Sequence, residues 1–340
     1  MLRLLDTGGT GRTGHENMWA IVLAGGAGTR LSPLTTRADG NVVPKQYCSL
    51  YGSVSLVQKS IARAASIVSI DRVVVVVAEE HRRWWSRLLA DVPPDNIVLQ
   101  PANRGTAIGI LRTLLHVMQA ANDASLLFLP SDHYIHDERV LDRSMWNALD
   151  IVNGAPDTTT LLGIIPESID TDLGYVVPGP HRRSGGYSVL RFVEKPESDL
   201  AIGLLRHGAV WNSFIFATRT RALMRLFERR IPHTVSVMRR AGTDYRAIRA
   251  LYPKLPTVDF SRDLLEGAAG SLSVLPVAPC GWTDLGTPCR VGACLEKFHG
   301  GIQMPAVPEQ DRAHLDMSEA WQSFATKTVN QPGQISCKSN

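Results

Sequence analysis

Apolar residues in this 340-residue chain gather into short runs separated by glycine, proline and polar turns. Residues 20–23, 73–77, 97–99 and 125–129 are compact apolar runs, the second entirely valine. Runs of this length and β-branched content predict strands buried on both faces, as in a parallel sheet under helices. Between them the period changes. Val57, Ile61, Ala64, Ala65 and Val68 recur at helical spacing, as do Ala107, Leu111, Leu114, Leu115 and Met118. A further helix is expected over residues 79–89, before Pro93-Pro94. Further along, residues 160–165, 189–193 and 272–277 read as strands and 201–205 as helical, with another strand entered after a turn at 171–176. Strand and helix alternating in this rhythm predict an α/β protein with right-handed crossovers.

The first strand breaks into Gly25-Gly26-Ala27-Gly28-Thr29-Arg30. Glycines let the backbone turn sharply and let a ligand approach bare N–H groups. Successive N–H groups form a concave nest for anions such as phosphate. Arg30 adds a planar fork of donors, and Lys45 a mobile point charge. Two better-known phosphate loops do not fit. No Gly-Lys-Ser/Thr follows, and the third glycine of a dinucleotide loop is replaced by Leu31, with Ser32-Pro33 interrupting an immediate helix.

Composition narrows the classes. The chain is 44% hydrophobic and 20% charged, ordinary for a globular protein. A net charge of +4 is mild and not gathered into a tract, which argues against nucleic acid and suits small anionic substrates. No apolar run approaches the roughly 20 residues of a membrane span. Residues 1–18 lack a long apolar core, so they read as a flexible extension and not as a secretory signal. Five cysteines without paired spacing suggest reduced thiols and a cytoplasmic location.

The run from Leu23 through Gly25, Gly26, Gly28 and Arg30 to Leu34, followed by Pro44-Lys45-Gln46, resembles the signature of the sugar-1-phosphate nucleotidyltransferases. Its Pro-Lys-Gln is similar to the mannose-1-phosphate guanylyltransferase branch. Six later motifs occur in that family's order. Gln100-Pro101-Ala102-Asn103-Arg104-Gly105-Thr106-Ala107 resembles the segment against base and ribose; its plain reading is a helix start, with Asn103 or Thr106 capping. Pro130-Ser131-Asp132-His133 is similar to the metal-aspartate motif, which implies that Asp132 ligates Mg²⁺; otherwise Asp132 is a turn residue. Imidazole suits Mg²⁺ poorly, so His133 reads as structural. Glu194-Lys195-Pro196 resembles the motif that places a glutamate on sugar hydroxyls and a lysine on the sugar phosphate; the alternative is an exposed edge ion pair. Trp211-Asn212-Ser213 resembles a motif whose asparagine faces the sugar, Trp211 being a core residue. The segment at 257–263 resembles a further stretch of that family, which implies that Asp259 lies near the sugar. Trp282-Thr283-Asp284-Leu285-Gly286 is similar to the motif of the second metal aspartate.

The resemblance implies a three-layer α/β/α nucleotidyltransferase fold with a mixed, mostly parallel central sheet. The catalytic domain is expected over 19–295, with an irregular tail over 296–340. It implies GMP transfer from GTP to a hexose 1-phosphate, with α-D-mannose 1-phosphate as the favoured acceptor. Another nucleotide or acceptor, such as UTP or dTTP with glucose 1-phosphate, and a catalytically silent nucleotide-sugar-binding regulator are the rival readings. The expected catalytic set is Arg30, Lys45, Asp132, Lys195 and Asp284. The nucleotide would meet Leu23, Ala24, Gly25, Gly26, Gly28, Thr29, Arg30, Lys45, Gln100, Asn103, Thr106, Ser131 and Asp132. The sugar phosphate would meet Gly174, Glu194, Lys195, Asn212 and Asp259. Asp132 and Asp284 would share Mg²⁺, with Mn²⁺ as an alternative. No nucleic-acid or membrane partner is expected, and homo-oligomerisation is left open. One departure touches the acceptor: Asp172-Leu173-Gly174 stands where relatives often have Gly-Tyr-Gly. The added carboxylate can accept from a hydroxyl or repel a phosphate.

Overall fold

The computed structural model describes residues 17–299. In chain order the first half comprises β1 (Met18–Ala24), α1 (Ser32–Thr35), α2 (Leu56–Ala65), β2 (Val73–Ala78), α3 (Arg82–Leu88), β3 (Ile97–Gln100), α4 (Gly105–Ala120), β4 (Ser125–Pro130) and α5 (Glu138–Gly154). The second half comprises β5 (Thr159–Ile164), β6 (Tyr175–His181), β7 (Tyr187–Val193), α6 (Ser198–Arg206), β8 (Val210–Arg219), α7 (Thr220–Arg230), α8 (Pro232–Ala241), α9 (Tyr245–Leu251), β9 (Leu272–Val277) and α10 (Pro288–His299).

One sheet runs in the order β3-β2-β1-β4-β8-β5-β9-β7-β6. Its first four strands pair in parallel. Beyond β4 the sheet is mixed: β8 runs antiparallel to both β4 and β5, β5 and β9 are parallel, and β6 and β7 form an antiparallel hairpin. The sheet is mixed as expected but not mostly parallel: four of its described pairings are parallel and five antiparallel, and three of the parallel ones lie in the N-terminal half, because β8 and the β6–β7 hairpin enter the second half reversed.

Strand periodicity builds the layers. Successive side chains point to opposite faces. Val73, Val75 and Val77 of β2 enter one apolar core with α2 and α5, while Val74 and Val76 enter a second with α4 and α7. All five valines are essentially inaccessible to solvent. Each such burial contributes on the order of 1.5–3 kcal/mol, which is why a run with no polar position forms a strand covered on both faces. α2 begins with a reciprocal cap between Ser55 and Gln58. Its Arg63 is tied to Glu138 of α5 by two hydrogen bonds of 2.7 Å.

Two boundaries differ from expectation. Met18, assigned to the extension, pairs with Ser125 at the start of β1. α10 runs past residue 295 to His299, because Val291, Cys294 and Leu295 are buried in the first core. The rest of the expected extension, 1–16, and of the tail, from 300 on, lies outside the described residues.

Candidate active site

The four parallel strands all end at one edge of the sheet, and the strand ends with the loops after β1, β3 and β4 form one wall of a cavity of about 430 Å³. This is where open α/β sheets hold ligands. Leu23 reaches it from the end of β1, and Gly25, Gly26, Gly28 and Arg30 from the loop that follows. Gln100 reaches it from the end of β3, Asn103 and Thr106 from beyond it, and Ser131 and Asp132 from the loop after β4. Gly174, Glu194, Lys195 and Asn212 line it from the second half of the chain, as do Asp284 and Asp259, the latter 3.5 Å from Thr106. Residues over 100 positions apart in sequence are thus gathered by strand order alone.

Three expected nucleotide residues are not on that wall. Thr29 is exposed and does not line the cavity. Ala24 is fully buried, and its carbonyl accepts from Gln46 Nε2 at 3.1 Å and Tyr47 Oη at 2.9 Å. Gln46 Nε2 also donates to the Gly26 carbonyl at 2.7 Å, so Gln46 shapes the glycine loop from beneath. Lys45, expected as a mobile charge, is buried and fixed. Its Nζ donates to the carbonyls of Asp284 at 2.7 Å and Leu285 at 3.2 Å and pairs with Asp132 Oδ2 at 3.0 Å. The loop after β1 packs directly on this lysine. Gly28 has φ of 64°, and a Cβ there would lie 2.7 Å from Lys45 N. Only glycine satisfies both demands.

The helix-start reading of residues 100–107 holds in part. Asn103 Oδ1 accepts from Gly105 N at 2.9 Å. Thr106 Oγ1 instead accepts from Phe260 N at 2.8 Å, tying the α4 start to the segment carrying Asp259. Gln100 presses its amide against Gly25 and Gly109, facing the cavity.

In the second half of the chain, a bulge sets Asn212. Between the pairings of β8 with Leu161 and Gly163, β8 spends two extra residues. Phe214 within that bulge has φ of 58°, and its N–H donates to Asn212 Oδ1 at 3.1 Å. Lys195 (φ 49°) and Leu285 (φ 48°) are the other two non-glycine residues with positive φ among those described. Such conformations cost on the order of 1–2 kcal/mol. All three adjoin the cavity, and local strain clusters at functional sites.

Electrostatics differ along the walls. Arg30 and Lys195 bring two cations to the lining, against five carboxylates: Asp132, Asp172, Glu194, Asp259 and Asp284. Burial raises Asp132's carboxyl and Lys45 lowers it; the net lies below the ordinary range. Burial pulls His133 down to about 4, so the ring is neutral near pH 7. Its Nδ1 accepts from Trp282 Nε1 at 3.2 Å, the arrangement of a packed structural imidazole. Burial, with Asp259 adding to it, pushes Glu194 up to about 7.

That last shift carries a sign. Glu194's folded value lies above its ordinary 4.5, so the folded state holds the proton more tightly. The associated stability is complete below 4.5 and is lost as pH rises toward 7. Glu194→Gln should therefore flatten the decline in Tm between pH 5 and 8. Parallel melting curves for the two proteins would show no change in that slope if Glu194 were not buried uncharged.

No group of three or more His, Cys, Asp or Glu side chains among the described residues is arranged to hold a metal. Two hard carboxylates beside a cavity with three more acids still suit Mg²⁺, which takes one or two protein carboxylates and completes its shell with waters and phosphates. Asp132 Oδ1 is 3.8 Å from the neutral His133 ring and retains coordinating capacity.

A sequence model of the nucleotidyl transferases matches residues 19–291. The chain belongs to the nucleotidyl transferase family. This nucleotidyl transferase is 31% identical over 279 residues to the xanthan biosynthesis protein XanB of Xanthomonas campestris, 29% identical over 279 to mannose-1-phosphate guanylyltransferase RfbM of Salmonella typhimurium, and 30% identical over 287 to mannose-1-phosphate guanylyltransferase 2 of Escherichia coli O157:H7. The matches cover 78–79% of this chain but only 56–58% of those relatives' own length. Among solved structures, one from Thermus thermophilus, described as mannose-1-phosphate geranyltransferase, superposes with TM-score 0.72 at 26% identity over 82% of this chain and 79% of its own. A putative glucose-1-phosphate thymidylyltransferase from Bacillus anthracis shares the fold, at TM-score 0.53 and 15% identity over 87% of this chain and 99% of its own. No described helix is long and apolar enough to cross a membrane.

Proposed function

We propose that this nucleotidyl transferase joins GTP to a hexose 1-phosphate, with α-D-mannose 1-phosphate as the favoured acceptor, and releases pyrophosphate. The observation carrying the proposal is a single cavity lined both by the glycine loop and Asp132 and by Glu194, Lys195 and Asn212. The names of the relatives support the same chemistry. An acceptor phosphate oxygen attacks the nucleotide's α-phosphorus. The bond to the β-phosphate bridging oxygen breaks, and pyrophosphate leaves with that electron pair. The attacking oxygen is already ionised near neutral pH, so no strong base is needed. The rate then rests on alignment and charge stabilisation. Arg30 would hold the triphosphate and Lys195 the acceptor phosphate, while Glu194 and Asn212 face hydroxyls. Asp132 and Asp284 would hold Mg²⁺ or Mn²⁺, which supplies charge neutralisation and polarises phosphoryl oxygens. Lys45, already committed to Asp132, would orient that carboxylate.

Asp172 favours keeping a second acceptor in view. It lines the cavity, half-exposed, 4.0 Å from Arg30. A carboxylate there changes which hydroxyl pattern fits. Four NTPs assayed against several hexose 1-phosphates by pyrophosphate release should give the highest kcat/KM for GTP with mannose 1-phosphate. A pocket hydrogen-bonded to one base edge rejects others because its own polar groups are left unpaired. Equal turnover with UTP or dTTP would overturn the guanylyl assignment.

A further inference from the structure

Arg290 lies near the start of α10, and no motif in the sequence marks it. Its Nη1 donates to both carboxylate oxygens of Asp284, at 2.8 Å each. Its Nη2 donates to both oxygens of Asp170 and lies 3.5 Å from Asp172. The side chains of Arg290, Asp284 and Asp170 are 19%, 12% and 18% exposed, so water screens these bonds little. The fork thus joins two segments: the turn after β9, which carries Asp284, and the loop between β5 and β6, which leads through Asp172 to Gly174. The turn is shaped for this contact. A Cβ at Gly286 would lie 2.4 Å from Asp284 Oδ2 and 2.8 Å from Arg290 Nη1. Lys45 holds the same aspartate by its backbone carbonyl. Asp284 is therefore fixed from two sides.

We propose that Arg290 is a positioning residue for nucleotidyl transfer. It aims the Asp284 carboxylate and locks it to the acceptor-side loop, so that the metal-facing acid and the acceptor pocket are set together. This rests on the proposed function. Two properties of the guanidinium are involved, and they separate experimentally. Its charge offsets Asp284 and limits the negative potential offered to a divalent cation. Its planar fork spans two carboxylates at once, which an ammonium does not do in the same geometry.

The test uses Arg290→Ala, Arg290→Lys, Asp170→Asn and the double variant Arg290→Ala/Asp170→Asn. Mn²⁺ binding to the nucleotide-free proteins is read by paramagnetic resonance, and kinetics by pyrophosphate release. Arg290→Ala should bind Mn²⁺ at least threefold more tightly than the wild type while kcat falls tenfold or more. General loosening of the fold does not produce these opposite signs. Arg290→Lys should keep Mn²⁺ affinity within twofold but raise KM for the hexose 1-phosphate at least fivefold. Asp170→Asn should raise that KM similarly and add little on top of Arg290→Ala, because the two act as one unit. Weaker or unchanged Mn²⁺ binding in Arg290→Ala would overturn the proposal, as would wild-type KM in both Arg290→Lys and Asp170→Asn. If Arg290→Ala does not fold, the Arg290→Lys and Asp170→Asn arms decide. If no nucleotide and sugar phosphate give pyrophosphate, the proposed function fails, and the Mn²⁺ arm still decides whether Arg290 restrains Asp284.

Discussion

Asp132→Asn should lower kcat about a thousandfold, equivalent to about 4 kcal/mol of transition-state stabilisation. The substitution keeps size and shape but removes the negative charge from a carboxylate on the cavity wall. Asp132 follows β4, whose six residues are all buried, so its backbone position is fixed by the sheet. The amide oxygen of Asn can still accept from Lys45, so the fold should survive with a modest loss of Tm. Steady-state pyrophosphate release, with circular dichroism to verify folding, tests this. Activity within tenfold of the wild type would remove Asp132 from the chemistry.

Lys45→Met should show the opposite balance, with a large stability cost accompanying loss of turnover. The apolar stem is retained, but the donor to the Asp284 and Leu285 carbonyls disappears, and Asp132 loses its partner. Breaking a buried ion pair from one side costs about 3–5 kcal/mol. Asp132's side chain is 34% exposed and Lys45's only 7%, which favours the lower end, about 3 kcal/mol. For a domain of this size that corresponds to roughly 5 °C in Tm. Calorimetry would settle the point, and an unchanged Tm would mean that Lys45 does not anchor the site.

Much of this arrangement is legible in the sequence because the chemistry sits in short local signals. The valine run of β2, the glycine break after β1 and the acid after β4 each announce themselves within ten residues. Strand order has no such signal. β8 inserts between β4 and β5, and nothing local at residues 210–219 says which strands it will join. Lys45 reads as a mobile charge for the same reason, since its partners are carbonyls some 240 positions away. Gln46 stands inside a recognisable motif, yet its task of bracing two glycine-loop carbonyls appears only once the loop folds over it. Arg290 gives no sign at all. Its six-residue distance from Asp284 is visible, but the second carboxylate it needs, Asp170, lies 120 positions earlier.

The left-handed backbone at Lys195, Phe214 and Leu285 does not weigh equally on heat tolerance and turnover. At exposed Lys195, glycine or asparagine would relieve the steric strain but delete the charge proposed to meet the acceptor phosphate. Phe214 packs against Phe216 and Phe260, and Leu285 lies in the first core, so a smaller residue there would lose more in packing than it gained in backbone ease. Selection for survival at high temperature and selection for flux therefore favour different residues at Lys195, a trade familiar wherever a protein stores strain beside its chemistry. A more heat-resistant descendant of this chain has easier ground elsewhere, in surface loops and helix ends, than in the three residues that hold its working surfaces in place.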